Sequence, residues 1–285
     1  MKYRIVQYIQ PWEIDDLDRQ IDQHIKSSYY IENDEIIFDI TMNLEIVDWN
    51  NSTLPSEYFI NKFKYLETKL KQYFTVNFDT DPNIKGCTDK RRQVQSKEQD
   101  FVIWLDSDLY FSHLTLPYLI HSSRQITDEY FIVSPEIIKY WDHSWDCITH
   151  DKFLNEPHNH RDYFDLYSLE KLVSENHVYV RKNNTIKFGG GWFNLIKNSV
   201  FNKIPLVEEL GSYAPDDTYL SFCGSDIISQ YIVGGVVVSE IGKCFLTNKD
   251  YIKPLINVKI QDKQKITDQE LYNLITEFKI KVSNS

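Results

Sequence analysis

The sequence predicts an α/β protein built on a mixed, mostly parallel sheet flanked by helices. Three observations carry that expectation. Apolar runs alternate with amphipathic segments through the first half of the chain, the pattern of strand–helix–strand units. One run, FVIWL at Phe101 to Leu105, is apolar at every position and reads as a strand buried on both faces. A late run, YIVGGVVVSEI at Tyr231 to Ile241, is apolar and β-branched, as a further core strand requires.

Taken in order, Ile5 to Ile9 reads as a strand stopped by Pro11. Ile14, Leu17, Ile21 and Ile25 then recur at steps of three and four, an amphipathic helix with acids in its first turn. Glu35 to Ile40 is a second strand, and Phe59, Phe63, Leu66, Leu70 and Phe74 mark a longer helix. A polar stretch from Asp79 to Gln99 leads into the Phe101 strand. Leu116 to Ile126 reads as a helix and Tyr130 to Pro135 as a strand. The second half is less regular, with short strands at Val178 to Arg181 and Ile186 to Phe188. The charged tail has one helix around Asp268 to Phe278. No repeat or low-complexity linker divides the chain. The expectation is one catalytic-type domain over 1–245, with a donor half of about 1–112 and an acceptor half of about 113–245. A C-terminal extension over 246–285 follows.

At 285 residues the chain is long enough to bury a large core. Its formal charge of −11, with no basic run to relieve it, argues against nucleic acid as a partner. The four cysteines form no CxxC pair and no disulfide framework, so a reducing, cytoplasmic setting is expected. The N-terminus MKYRIVQYIQPW has neither a long apolar core nor a small-residue cleavage site. No apolar stretch approaches about 20 residues, so neither a signal peptide nor a membrane span is expected.

The buried strand runs directly into Asp106 and Asp108, in FVIWLDSDLYFS. Side chains two apart on an extended segment point the same way, so the two carboxylates can converge. At about 6 Å they repel by about 0.7 kcal/mol in water and about 3 kcal/mol at an effective dielectric of 20. A divalent cation reverses that sign, and Mg²⁺ or Mn²⁺ suits such oxygen ligands. Ligands of open α/β sheets also sit at strand carboxyl ends, where this pair falls. The plain alternative is a solvated acidic turn. D-x-D occurs three times, at Asp16, Asp79 and Asp106. The first is expected on the exposed side of a helix and the second at a turn; only the third caps a buried strand.

Upstream, GCTDKRR sets Gly86, Thr88 and Asp89 before Lys90, Arg91 and Arg92. A helix starting there would offer free N–H groups and cations to a phosphate. A surface turn balancing nearby acids is the alternative.

With both pieces in order, the chain resembles a GT-A-type glycosyltransferase, nearest the inverting family-2 group. The resemblance runs from Ile5 to Cys244. It rests on GCTDKRR, FVIWLDSD, the glycine-rich GGGWFNLIKNSVF and the acidic pair in GSYAPDDTYLSFCG. It implies a GT-A-like fold and transfer of a sugar from a nucleotide-sugar donor to a hydroxyl of a glycan or other acceptor, with inversion. Asp106 and Asp108 would hold Mn²⁺ or Mg²⁺. Gly86, Lys90 and Arg91, with Asp106, would bind the donor, and Gly190, Gly191 and Trp192 the acceptor. Asp217, beside Asp216, would be the general base. The sequence departs from the family in having no histidine after His177; VVVSEIG offers Glu240 in its place. Asp39 and Asn43 are both imperfect matches to the family's base-reading aspartate.

Other residues have plainer readings. His158 and His160 in NEPHNHRD fit a polar loop, and Trp141, His143 and Trp145 fit packing or an acceptor wall. A haloacid-dehalogenase-type phosphatase also ends an apolar strand in D-x-D. It places that motif near its start, whereas here a hundred residues precede it. A non-catalytic nucleotide- or glycan-binding relative is the remaining alternative.

Overall fold

The computed structural model describes residues 1–138, 178–182, 193–240, 251–259 and 266–283. The expected strand at Ile186 to Phe188, His158 and His160, Trp141 to Trp145, and Gly190, Gly191 and Trp192 lie outside these residues.

Strand β1 (Lys2–Ile9) leads into α1 (Ile14–Ser27), followed by β2 (Glu35–Met42), β3 (Val47–Asp48), α2 (Ser56–Lys71) and β4 (Thr75–Asp79). Then come α3 (Cys87–Gln95), β5 (Phe101–Leu105), β6 (Leu109–Tyr110), α4 (Thr115–Ser123), β7 (Phe131–Ile138) and β8 (Tyr179–Lys182). The remainder is β9 (Phe193–Lys197), α5 (Ser199–Lys203), α6 (Asp216–Cys223), β10 (Ser229–Glu240), β11 (Asn257–Val258) and α7 (Asp268–Ser283).

One sheet organises the molecule, in the order β4-β2-β1-β5-β9-β7-β10-β6, with β8 also paired to β10. The pairings run β4, β2, β1, β5, β7 and β10 in one direction, and β9, β6 and β8 in the other. The mixed, mostly parallel sheet is therefore as expected. The sequence reading did not assign β9, which enters antiparallel between β5 and β7, or the half-exposed edge strand β4.

All five residues of β5 are buried, and they divide by parity. Phe101, Ile103 and Leu105 join the core shared with Leu17 and Ile21 of α1, Phe63 of α2 and Leu119 of α4. Val102 and Trp104 face the other core, with Val94 of α3, Val200 of α5, Leu220 of α6 and Leu271 of α7. The sheet is thus covered on both sides, as a mostly parallel sheet needs. The C-terminal part returns to the body, since β11 pairs with β3 and α7 packs against α6.

Two readings of the acidic tripeptides change. Asp16 is buried rather than on the exposed side of its helix, and Arg19 pairs with it. Asp79 ends β4 just before the expected turn at residues 82–83 and accepts from Asp81 N (3.3 Å). This partly exposed carboxylate also accepts from Thr41 Oγ1 (2.7 Å) and Lys90 Nζ (3.1 Å), so it has structural partners that a solvated turn acid would lack.

His24, on the buried face of α1, lies against Phe38 (4.8 Å between ring centroids) and Phe111 (5.0 Å). Burial pushes its pKa down to about 3 from an ordinary 6.5. The unfolded chain takes up a proton there below about pH 6.5 and the folded chain does not. Stability present at neutral pH is therefore lost as pH falls, by about 1.4 kcal/mol per unit. Replacing His24 with Leu should make the pH 6.5-to-4.5 loss smaller by about 2–3 kcal/mol in urea unfolding. Identical losses in both proteins would contradict the buried neutral imidazole.

Candidate active site

The site is assembled by α3, which the sequence marks with GCTDKRR. Gly86 precedes the helix in extended backbone, and a Cβ there would lie 2.0 Å from Ser212 O. Only glycine permits that approach. The contact continues along the helix start. Thr88 N donates to Ser212 O (3.1 Å), Ala214 N to Thr88 Oγ1 (3.0 Å) and Arg92 Nη2 to Gly211 O (2.8 Å). Residues 211–214 lead into α6, so these bonds bring the start of α6 against α3.

Within α3, Lys90 and Arg91 share the buried face with Thr88 and Val94, but they point to different partners. Lys90 is fully buried. Its ammonium pairs with Asp39 Oδ1 (2.6 Å) and Asp79 Oδ2 (3.1 Å) and donates to Gln93 Oε1 (3.2 Å). Asp39 also pairs with Arg4 (2.9 Å) and Lys97 (2.7 Å). Burial alone would raise the Asp39 pKa, yet Lys90 and Lys97 hold it below the ordinary value. Lys90 therefore locks α3 onto β2 and β4, and its charge is spent inside the protein. Asn43 is similarly committed, donating to Tyr8 OH (2.7 Å) and accepting from Glu45 N (2.9 Å). Both imperfect matches to a base-reading aspartate therefore already have partners within the protein.

Arg91 reaches the other way. One guanidinium nitrogen binds Asp106 Oδ1 (2.9 Å), the other Asp216 Oδ1 (2.7 Å), and the group lies 4.5 Å over the Trp104 ring. Parity explains the reach, since Trp104 is on the α3 side of β5. Burial opposes the charge on Arg91, but the two carboxylates raise its pKa above the ordinary value. Burial raises the pKa of Asp106 well above the ordinary carboxylate; Arg91 opposes this, and Asp108, Asp217 and Asp216 add to it. Burial likewise raises Asp216, whose Oδ2 is buried without a hydrogen-bond partner among the described residues. Asp217 is half-buried and accepts from Thr218 N (2.6 Å). The half-buried Asp108 carboxylate makes no hydrogen bond or ion pair among the described residues.

The segment that carries the carboxylate pair is not extended, as the sequence reading assumed. The strand ends at Leu105, and Ser107 and Asp108 form a turn into β6. The backbone of β6 then pairs with the end of β10, Leu109 opposite Glu240.

Among the described residues no cluster of three or more His, Cys, Asp or Glu ligands forms. The donor set nevertheless fits Mg²⁺ or Mn²⁺, which commonly takes one or two carboxylates and fills its shell with water and phosphate oxygens. Burial is the main reason that Asp106 is driven toward its neutral form, and the neighbouring Asp108, Asp217 and Asp216 charges add to it against the opposing pull of Arg91.

No family model matches the chain, and no curated protein matches its sequence. Solved structures do. GalNAc-T7, solved with UDP, GalNAc and Mn²⁺, aligns over 98% of this chain and 50% of its own at 14% identity, with a TM-score of 0.52. TarS of S. aureus aligns over 81% of this chain and 60% of its own at 12% identity, with a TM-score of 0.45. A mycobacterial protein aligns over 84% and 67% at 13% identity, also with a TM-score of 0.45. The chain spans about half the length of the GalNAc-T7 chain and 60% of the TarS chain. Together with the sheet order and its helical layers, the GalNAc-T7 match identifies the fold of this chain as GT-A-like.

Proposed function

We propose that this chain is a metal-dependent glycosyltransferase that moves a sugar from a nucleotide-sugar to an acceptor hydroxyl, with inversion. One observation carries the reading: Arg91 bridges Asp106 of the D-x-D turn and Asp216 of the α6 start, so the two acidic motifs meet at one strand-end rim. A fold shared with a protein solved with UDP and Mn²⁺ supports the donor class.

In this reading Asp106 and Asp108 hold Mn²⁺ or Mg²⁺, which when bound supplies positive charge against the donor diphosphate. Arg91 holds the rim together, and Gly86 permits the close packing of α3 on the 211–214 segment. Lys90 acts by position, keeping α3 seated. Asp217 is the general base. It takes the acceptor hydroxyl proton as that oxygen bonds to the anomeric carbon, while the bond from that carbon to the diphosphate breaks and its electron pair leaves with the nucleoside diphosphate. One displacement inverts the anomeric centre. Gly190, Gly191 and Trp192 complete the proposal as the acceptor side.

The test is turnover of UDP-sugars with Mn²⁺. Release of UDP, or transfer to an acceptor, supports the reading, and phosphate release from monoesters with no UDP-sugar turnover would overturn it. Asp217→Asn should keep donor binding within about twofold and lower transfer about 10²–10⁴-fold. Unchanged transfer would remove the base assignment.

A further inference from the structure

The turn that carries Asp106 and Asp108 is held by a side chain from another element. Gln20 lies on the buried face of α1, and its amide nitrogen faces three main-chain oxygens: Asp106 O (3.0 Å), Ser107 O (3.1 Å) and Leu109 O (2.8 Å). A carbonyl only accepts, so the nitrogen must face the turn, with two protons serving three oxygens. The other end of the amide fixes the same orientation. Gln20 Oε1 accepts from Nε2 of Gln7 on β1 at 2.6 Å, and Gln7 is buried as well. A flipped amide would set oxygen against three oxygens. The position falls in a stripe of core residues, between Leu17 and Ile21 on one side and His24 on the next turn. An apolar side chain would serve the core there but would leave those three carbonyls facing no donor from α1.

We infer that Gln20, seated by Gln7, is a positioning residue for the cation site, shaping the turn that carries Asp106 and Asp108. The inference rests on the reading that this pair binds a divalent cation. Side chains that orient metal ligands from behind typically change metal affinity by about 10–100-fold when removed.

The whole chain and its variants can be titrated with Mn²⁺ alone, followed by electron paramagnetic resonance. Gln20→Met keeps the side-chain length and removes both donors; Gln20→Glu, which replaces the nitrogen with oxygen, serves if the Met variant does not fold. Gln99→Met is the matched control. Gln99 is also buried, donating to Val94 O (2.9 Å) and Asn198 Oδ1 (2.9 Å) and accepting from Arg4 Nε (3.0 Å), with no partner in the turn. The Gln20 variants should bind Mn²⁺ about 10–100-fold more weakly, with faster amide exchange at Asp106 to Leu109. Gln99→Met should leave both readouts at the wild-type value even if it lowers thermal stability. Wild-type affinity in the Gln20 variants, or an equal loss in the control, would overturn the positioning role. Absence of Mn²⁺ uptake by the wild type would instead overturn the cation reading, and the positioning role with it.

Discussion

Asp108→Ala should lower sugar transfer about a thousandfold, equivalent to about 4 kcal/mol at the transition state, while leaving the fold intact. The two halves of that expectation have separate causes. Asp108 contributes no hydrogen bond or ion pair to the described structure, and it adds a like charge beside Asp106, so removing it does not weaken the native state. Its proposed work is to hold a cation against a diphosphate, which only the loaded site requires. Transfer rate and melting temperature, measured on the same preparation, check the expectation. A variant that loses stability in proportion to activity would place Asp108 in the scaffold instead. Asp79→Ala is a useful contrast. Its carboxylate accepts from Thr41 and Lys90 as well as from Asp81 N, so the structure assigns it a stability cost rather than silence.

Arg91→Met should be the most destabilising substitution at the rim. It leaves the Asp106 and Asp216 carboxylates without their shared cation, and breaking a buried pair from one side costs about 3–5 kcal/mol. The loss should depend on pH with a definite sign. Both carboxyls are already raised above their ordinary values, and removal of the guanidinium raises them further. The folded variant then binds protons that the unfolded chain has released, so its stability increases as pH falls through the folded-state pKa values. Urea unfolding at pH 7.5 and pH 5.5 should show the gap from wild type narrowing at the lower pH. A gap that is constant or widens toward acid would contradict the bridge. Arg91→Lys should rescue only part of the loss, because an ammonium is a point charge and cannot span two carboxylates as a fork does.

Much of this arrangement is legible in the residues. FVIWL followed by two aspartates is a both-faces-buried strand with charges at its end, and the structure has that strand at the middle of the sheet. Asp216 and Asp217 opening a helix is likewise readable, since acids favour a helix start. What the linear pattern hides is orientation. Val94 marks the inward face of α3, and Lys90 and Arg91 stand four and three residues before it, so both are turned inward. Triplet composition alone makes them look like free surface cations. Gln20 is hidden for the same reason: on a helix whose stripe is Leu17, Ile21 and His24, a glutamine reads as solvent-facing until the carbonyls above it are known. Strands β4 and β9 were missed because the first is a half-exposed edge and the second lies in a segment dominated by its glycines.

The most direct measurement is calorimetric titration of nucleoside diphosphates into the full chain, with Mn²⁺ present and with chelator. If acidic oxygens, cation and pyrophosphate share the rim that Arg91 closes, Mn²⁺ should tighten one nucleoside diphosphate at least tenfold. By linkage the nucleotide should tighten Mn²⁺ equally, and Asp108→Ala should abolish both effects. Equal nucleotide affinity with Mn²⁺ and with chelator, in a chain that still turns over a nucleotide-sugar, would contradict the account at its centre.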